Sequence, residues 1–220
     1  MRKSLAVLNT GVEDGRKIHV NIFKYLMMEI SSNFGNMITV SVASFILPFI
    51  PMLPTQILLN NFLYDVSQVT IAADNVDVEL IKNPKKWDVG FIKKFMLTFG
   101  PVSSIFDFVT FFILLDLFKS VPSTFRTGWF IESLITQTLI VFAIRTSKVP
   151  FLKSKPSKYL LIGSFITLIL GIIFILPPFA SYFSFSVLTI KFYPYLIFIV
   201  IFYFVLVEFV KSIFYKKNSL

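Results

Sequence analysis

YLLIGSFITLILGIIFIL, residues Tyr159–Leu176, contains no charged side chain. A bilayer core of about 30 Å takes roughly 20 apolar residues of helix to cross. This run meets that length, and Pro177-Pro178 closes it, because proline cannot donate the helix hydrogen bond. Five more segments read as spans on the same criterion: Met27–Ile50, Leu53–Ala72, Phe95–Phe118, Trp129–Ile144 and Pro194–Val210. The second is the most interrupted, by Asn60, Asn61, Asp65, Ser67, Gln68 and Thr70. The fold class expected is an all-α integral membrane protein, a six-helix transmembrane bundle with both termini cytoplasmic.

Composition agrees. Of 220 residues, 55% are hydrophobic, 17% aromatic and 15% charged, with a mean hydropathy of +0.78. A soluble domain carries about a quarter charged residues. With no Cys, a disulfide scaffold, a thiolate metal site and cysteine catalysis are excluded, and the lone His19 excludes a two-histidine metal site. Leu5–Leu8 is too short for the apolar core of a signal peptide, and no cleavage pattern follows it.

The net charge of +9 reads as membrane topology rather than nucleic-acid affinity, so no nucleic-acid partner is expected. Of 21 Lys and Arg, only Lys119, Arg126 and Lys191 fall between spans on one side; all the others fall on the opposite side. The positive-inside rule makes that richer side cytoplasmic. Removing the second span would abolish the asymmetry.

Polar groups at membrane depth are expensive, and by default they suggest an ion path. Glu29, Asn33 and Asn36 recur at helical spacing in the first span, and Asn61, Asp65 and Gln68 repeat that spacing in the second. Each set lies within an arc of about 60° on its helix. The short uncharged hairpin Leu47–Pro54 is expected to hold these helices as antiparallel neighbours with their polar faces meeting. Such an all-oxygen set of one carboxylate and several amides suits a hard cation such as Mg²⁺, which keeps part of its water shell. The competing reading is interhelical hydrogen bonding by Asn and Gln. Asp107 is either a second polar contact or a packing partner. Asp116 and Glu132 are expected near the outer surface, Gln137 with Thr136 and Thr138 as interhelical glue, and Glu208 with Lys211 as a local ion pair.

Longer strings then resemble one family. Gly15-Arg16-Lys17 followed by Asn21–Tyr25 looks like the stalk entering the fifth membrane helix of a P-type ATPase. Ser31-Ser32-Asn33-Phe34-Gly35-Asn36, Leu47–Pro54, Leu63-Tyr64-Asp65-Val66-Ser67-Gln68, Asp74-Asn75-Val76-Asp77, Phe99–Asp107, and Thr136–Val141 with Ile144-Arg145-Thr146 are similar to its magnesium-transporting branch. The matches run from Ser4 to Pro150. The resemblance implies that the six spans are helices five to ten of a ten-helix pump, whose ion ligands come from helices four, five and six. Carried over, Asn36, with Asn33 behind it, and Asp65 are the metal candidates, with Asn61, Gln68 and Asp107 as secondary polar candidates. Mg²⁺ would be the transported ion. Ile71-Ala72-Ala73 departs from the family pattern, which has a proline after the isoleucine.

The chain holds no Asp-Lys-Thr-Gly-Thr phosphorylation sequence, no Thr-Gly-Glu loop, no Gly-Asp-Gly hinge and no Gly-rich phosphate cradle. ATP would therefore act only through N-terminal domains outside this chain, and the chain alone is expected to be inactive as an ATPase. The organisation expected is a cytoplasmic stalk over residues 1–26, the C-terminal transmembrane domain over 27–215 and a cytoplasmic tail over 216–220. The partners expected are the lipid bilayer of the cell membrane and a separately encoded N-terminal pump half. The alternatives are a free-standing passive cation channel or carrier, and a non-transporting partner of such a half.

Overall fold

The computed structural model describes residues 5–82 and 88–218. Arg2, Lys3, Lys85 and Lys86, which enter the basic asymmetry, lie outside the described residues. Eight α-helices follow in order: α1 Leu5–Ile46, α2 Pro54–Val69, α3 Val78–Lys82, α4 Val89–Phe112, α5 Pro122–Ile144, α6 Lys158–Phe174, α7 Phe179–Tyr182 and α8 Tyr193–Lys217. A 3₁₀ turn, Thr70–Ala73, ends α2, and a π turn, Ile113–Leu117, extends α4.

Local chemistry explains where the helices start. Pro54 opens α2 and Pro122 opens α5, at positions where a missing N–H costs nothing. The Gln56 side chain turns back to accept from the Leu53 amide at 2.9 Å. Asp88 accepts from the Gly90 amide at 2.8 Å to cap α4, and the Ser157 hydroxyl accepts from Leu160 at 3.1 Å to cap α6.

Among the described residues three helices are long and apolar enough to cross a bilayer by themselves: α4 with its π turn (Val89–Leu117), α5, and the stretch Ile190–Lys217 that contains α8. The apolar helix α6 is shorter, α2 has 16 residues, and α1 is long but carries polar groups through its middle. At 1.5 Å per residue, the 42 residues of α1 extend roughly 63 Å, about twice a bilayer core. A continuous rod therefore joins the polar N-terminal part of α1 to its apolar end.

Helix α5 is the hub, touching α1, α2, α4, α6 and α8. Its most apolar stretch is 89% buried, against 28% for the α8 stretch. Ile197, Ile201, Val205 and Phe209 of α8, spaced one turn apart, stay exposed as an apolar stripe suited to lipid. Glycines set the α1–α4 crossing. A Cβ on Gly35 would come within 2.8 Å of the Gly100 carbonyl oxygen, and one on Gly100 within 2.7 Å of the Phe34 ring. Ser104 Oγ then donates to the Gly35 carbonyl at 2.9 Å.

One end of the bundle is tied by a buried ionic knot. Asp74 accepts from Lys24 Nζ of α1 at 3.1 Å, from Arg145 Nε at the end of α5 at 2.7 Å, and from the Ser157 amide before α6 at 3.0 Å. All three side chains are 5% exposed or less. Asn21 donates to the carbonyls of Ala72 and Asp74, and Arg145 reaches the carbonyls of Asn75, Ser154 and Lys155. Lys211 brings in α8 through the carbonyls of Ala143 and Lys148, and also makes the expected pair with Glu208 at 2.7 Å. Burial lowers the Lys24 amine's pKa against the opposing pull of Asp74. Burial alone would raise the pKa of Asp77, but hydrogen bonds from Thr146 and Ser154 outweigh it and hold that carboxyl below its ordinary value. The opposite end is joined by Arg126 to the Ile50 carbonyl, Gln56 to the Phe183 carbonyl, and the Ser186 amide to Thr127.

Removing one member of a buried charge cluster leaves the others uncompensated, at about 3–5 kcal/mol. Asp74→Ala is expected to destabilise the chain by that amount in thermal unfolding in lipid nanodiscs. Glu79→Gln, which breaks the exposed pair with Lys148, should leave the midpoint nearly unchanged. Equal shifts for the two variants would contradict the central role of Asp74.

Candidate cation site

A cavity of about 490 Å³ opens between α1, α2 and α5. Asn33 and Asn36 of α1, Asn60 and Asn61 of α2 and Ser133 of α5 supply its polar wall, with Met37, Met52 and Trp129 among its apolar residues. A water molecule takes roughly 30 Å³, so this volume holds an ion together with several waters. A larger cavity of about 650 Å³ between α4 and α8 is lined by residues such as Ile105, Val109, Phe198 and Phe202, and it offers a cation almost nothing to bind.

Hydrogen bonds fix the back of the polar wall. Gln137 Nε2 donates to Asn36 Oδ1 at 3.0 Å and to Ser133 Oγ at 2.7 Å, and Asn60 Nδ2 donates to the same Oγ at 3.1 Å. These bonds consume amide hydrogens and leave Gln137 Oε1 and Asn60 Oδ1 buried without a partner. Two orphaned carbonyl oxygens beside a polar cavity are a costly arrangement without a ligand, and both are hard donors of the type that magnesium and calcium take.

The sequence candidates are dispersed around this centre. Asn33 and Asn36 line the cavity, and Asn33 also donates to Glu29 at 2.6 Å. Asn61 lines it from α2. Asp65 does not; it is exposed on the outer face of α2. Helix α2 buries Leu59, Leu63, Tyr64 and Ser67, which leaves Asp65 on the outward face. Gln68 is 1% exposed with both amide atoms unpartnered. Asp107 lies away from the cavity, between α1, α4 and α5. Glu132 is 1% exposed rather than interfacial.

The expected face-to-face packing of the first two spans is corrected. Helix α1 rests on α4, α2 rests on α6 and α5, and their polar faces look at each other across the cavity. Among the described residues no three His, Cys, Asp or Glu side chains gather to hold a metal, and the polar lining of the cavity is amides and hydroxyls. Asn60 and Ser133 also line the cavity and are not among the residues expected from the sequence. Their signal in the sequence was slight: Asn60 stands beside Asn61, and Ser133 is one turn before Gln137.

Residues 49–213 match the family described as "Cation transporting ATPase, C-terminus". The chain belongs to that family. With three helices able to cross a bilayer, this member is a multi-pass membrane domain. It is 46% identical over 222 residues to the magnesium-transporting ATPase, P-type 1, of Escherichia coli K12. Against a relative of the same description from Salmonella typhimurium 14028s the identity is 43% over 222 residues, and against one from strain LT2 it is 38% over 221. Each alignment takes in 99% of this chain but only 24–25% of the relative, so the chain spans about a quarter of the length of the curated relatives it matches.

Interhelical hydrogen bonds in membranes average about 0.6 kcal/mol each. Gln137→Leu removes one of these, to Asn36, together with a bond to Ser133 within α5, and is expected to cost this domain about 1 kcal/mol. Asn61→Ala, at a cavity side chain with no hydrogen bond among the described residues, should cost less than half of that. Thermal unfolding in nanodiscs measures both; an Asn61→Ala loss equal to that of Gln137→Leu would show the wall is misassigned.

Proposed function

We propose that this chain is the ion-site portion of the membrane domain of a P-type ATPase that moves magnesium across the cell membrane. The observation that carries this reading is the amide-lined cavity beside α1, a helix that runs unbroken from the polar stalk to Asn33 and Asn36. The volume suits an ion that keeps several waters, as magnesium does. The names of the relatives point to the same ion.

Six passes are part of the proposal. The ionic knot gathers the stalk of α1, the end of α2, the end of α5, the start of α6 and the C-terminal part of α8, and Lys94 near the start of α4 reaches Asn218 at 3.3 Å. Ends meet in this way when successive long helices alternate in direction. Both termini then lie on one side, which the positive-inside rule makes cytoplasmic; residues 1–26 form the stalk, 27–215 the membrane domain and 216–220 the tail.

Asn36 and Asp65 are the leading ligands, with Asn33, Asn61 and the oxygens of Asn60 and Gln137 around them. Asp65 is exposed on α2, and a helix contributed by an N-terminal pump half would stand against it and close the site. ATP hydrolysis belongs to that half. Movement of the phosphorylation domain would travel along α1 as a rigid rod and displace Asn36 relative to α2.

A chimaera tests this reading: the C-terminal quarter of the Escherichia coli relative is replaced by this chain, and magnesium-stimulated phosphate release is measured in vesicles. The expected order is full turnover for the unmodified chimaera, a partial loss for Asn36→Ala, where water replaces an amide oxygen, and abolition for Asp65→Asn. An Asp65→Asn chimaera with unchanged magnesium dependence would refute the site.

A further inference from the structure

The hairpin between α1 and α2 has few ties of its own. Pro48, Pro51 and Pro54 stand within Leu47–Pro54, and each lacks the N–H that backbone pairing needs. Among the described residues, 48–52 make no backbone–backbone hydrogen bond, and the one hydrogen bond that reaches them comes from α5. Arg126 Nε donates to the Ile50 carbonyl at 2.9 Å. The same guanidinium lies 5.9 Å from the centre of the Phe49 ring, within the range of a cation–π contact. Phe49 in turn packs edge-on against Phe125 of α5 at 5.3 Å. One arginine therefore holds two consecutive residues of the hairpin.

That hairpin is also a wall of the polar cavity. Met52 lines the cavity and is 5% exposed, whereas Ile50, across Pro51, is 59% exposed. On α5, Trp129 and Ser133 line the cavity, and Gln137 supports its back. Arg126, Trp129, Ser133 and Gln137 stand at offsets 0, 3, 7 and 11, within an arc of about 80° on one helix face. Arg126 is thus one turn beyond the cavity on the face that lines it, on the side away from the Asp74 knot. The other basic residues at that end are placed differently. Lys119 and Lys191 are exposed and lie in the segments that precede α5 and α8.

We infer that Arg126 is a positioning residue for the cavity: by holding the Ile50 carbonyl and the Phe49 ring it keeps Met52 in the wall and that end of the cavity closed. Parting the bond releases a segment that backbone pairing does not hold, and water then enters past Met52. The guanidinium also places a fixed positive charge at the closed end, which disfavours a cation there. In the proposed pump, opening at this end requires the bond to part. The inference rests on the ion-site reading for what passes through, whereas the closure itself is a property of the hairpin and is read without any ion.

Thiol labelling of the 220-residue chain in lipid nanodiscs tests the closure. The chain has no cysteine, so Met52→Cys reports the cavity wall, and Ala143→Cys, at a fully buried position near the other end of α5, reports the bundle at large. With Arg126 in place, both are expected to react slowly with a water-soluble maleimide. Arg126→Ala should speed labelling of Met52→Cys at least about tenfold, as loss of a charge-assisted bond implies, and leave Ala143→Cys unchanged. Arg126→Lys keeps the charge and a donor but loses the planar group over Phe49, and should give an intermediate rate. Lys191→Ala removes a charge at the same end and should change neither rate. An unchanged Met52→Cys rate in Arg126→Ala, equal acceleration at both cysteines, or the same acceleration by Lys191→Ala overturns the inference. Should Arg126→Ala fail to insert, Arg126→Lys decides: faster labelling of Met52→Cys supports the latch and an unmoved rate refutes it.

Discussion

Asp74 accepts hydrogen bonds from Lys24, Arg145 and the Ser157 amide, and through them one buried carboxylate holds the stalk helix, the end of α5 and the start of α6 at a single point. Such a cluster is a weak source of net stability, because dehydrating three charges cancels much of their attraction. Its effect is on register. Long apolar helices can slide past one another at little cost, since hydrocarbon contacts are alike along their length. A fixed set of charge-assisted bonds at one end removes that freedom. Arg145 suits the position because its planar guanidinium serves the carboxylate, the carbonyls of Ser154, Asn75 and Lys155, and the Ser154 hydroxyl at once.

With that end fixed, the cavity follows from the choice of neighbours. Gly35 and Gly100 bring α1 against α4 at backbone distance. Thr167 of α6 donates to the Leu63 carbonyl of α2 at 3.2 Å, and Gly163 leaves room for Thr70, so α2 leans toward α6. The two helices joined by the hairpin 47–53 are thereby drawn apart, and the polar gap between them is backed by Ser133 and Gln137 of α5. A gap lined by amides, rather than a dry contact, is what a weakly held and partly hydrated ion needs.

Much of this was legible in the sequence. Uninterrupted apolar runs gave the long helices, Pro177-Pro178 marked the end of one, and the strings around Asn33, Asp65 and Asp107 gave the family. Pairing was not legible. A short hairpin implies antiparallel direction, but only the small residues on α1, α4 and α6 decide which faces touch, and their meaning depends on partners distant in the chain. Asp65 shares a stripe with Asn61, yet a small rotation of α2 is enough to bring one into the cavity and the other outside. Glu132 was misplaced for a simpler reason. The helix was started at Trp129, which put the carboxyl near its edge, whereas Pro122 is the true first residue and puts Glu132 deep inside. Asn60 and Gln137 carried no sign of which amide atoms would be left without a partner.

The six-pass arrangement requires the Asp74 end of the bundle to lie on one side of a membrane and the 179–192 segment on the other. The chain has no cysteine, so single cysteines report cleanly. Lys153 is exposed near the Asp74 knot and Thr189 is exposed at the opposite end, whereas Ser154 is buried against Arg145 and Asp77 and would report poorly. In intact cells treated with an impermeant thiol reagent, Thr189→Cys is expected to label, and Lys153→Cys only after the cells are opened. Labelling of Lys153→Cys in intact cells, or equal protection at both positions, would contradict the six-pass arrangement and the placement of the cation site within it.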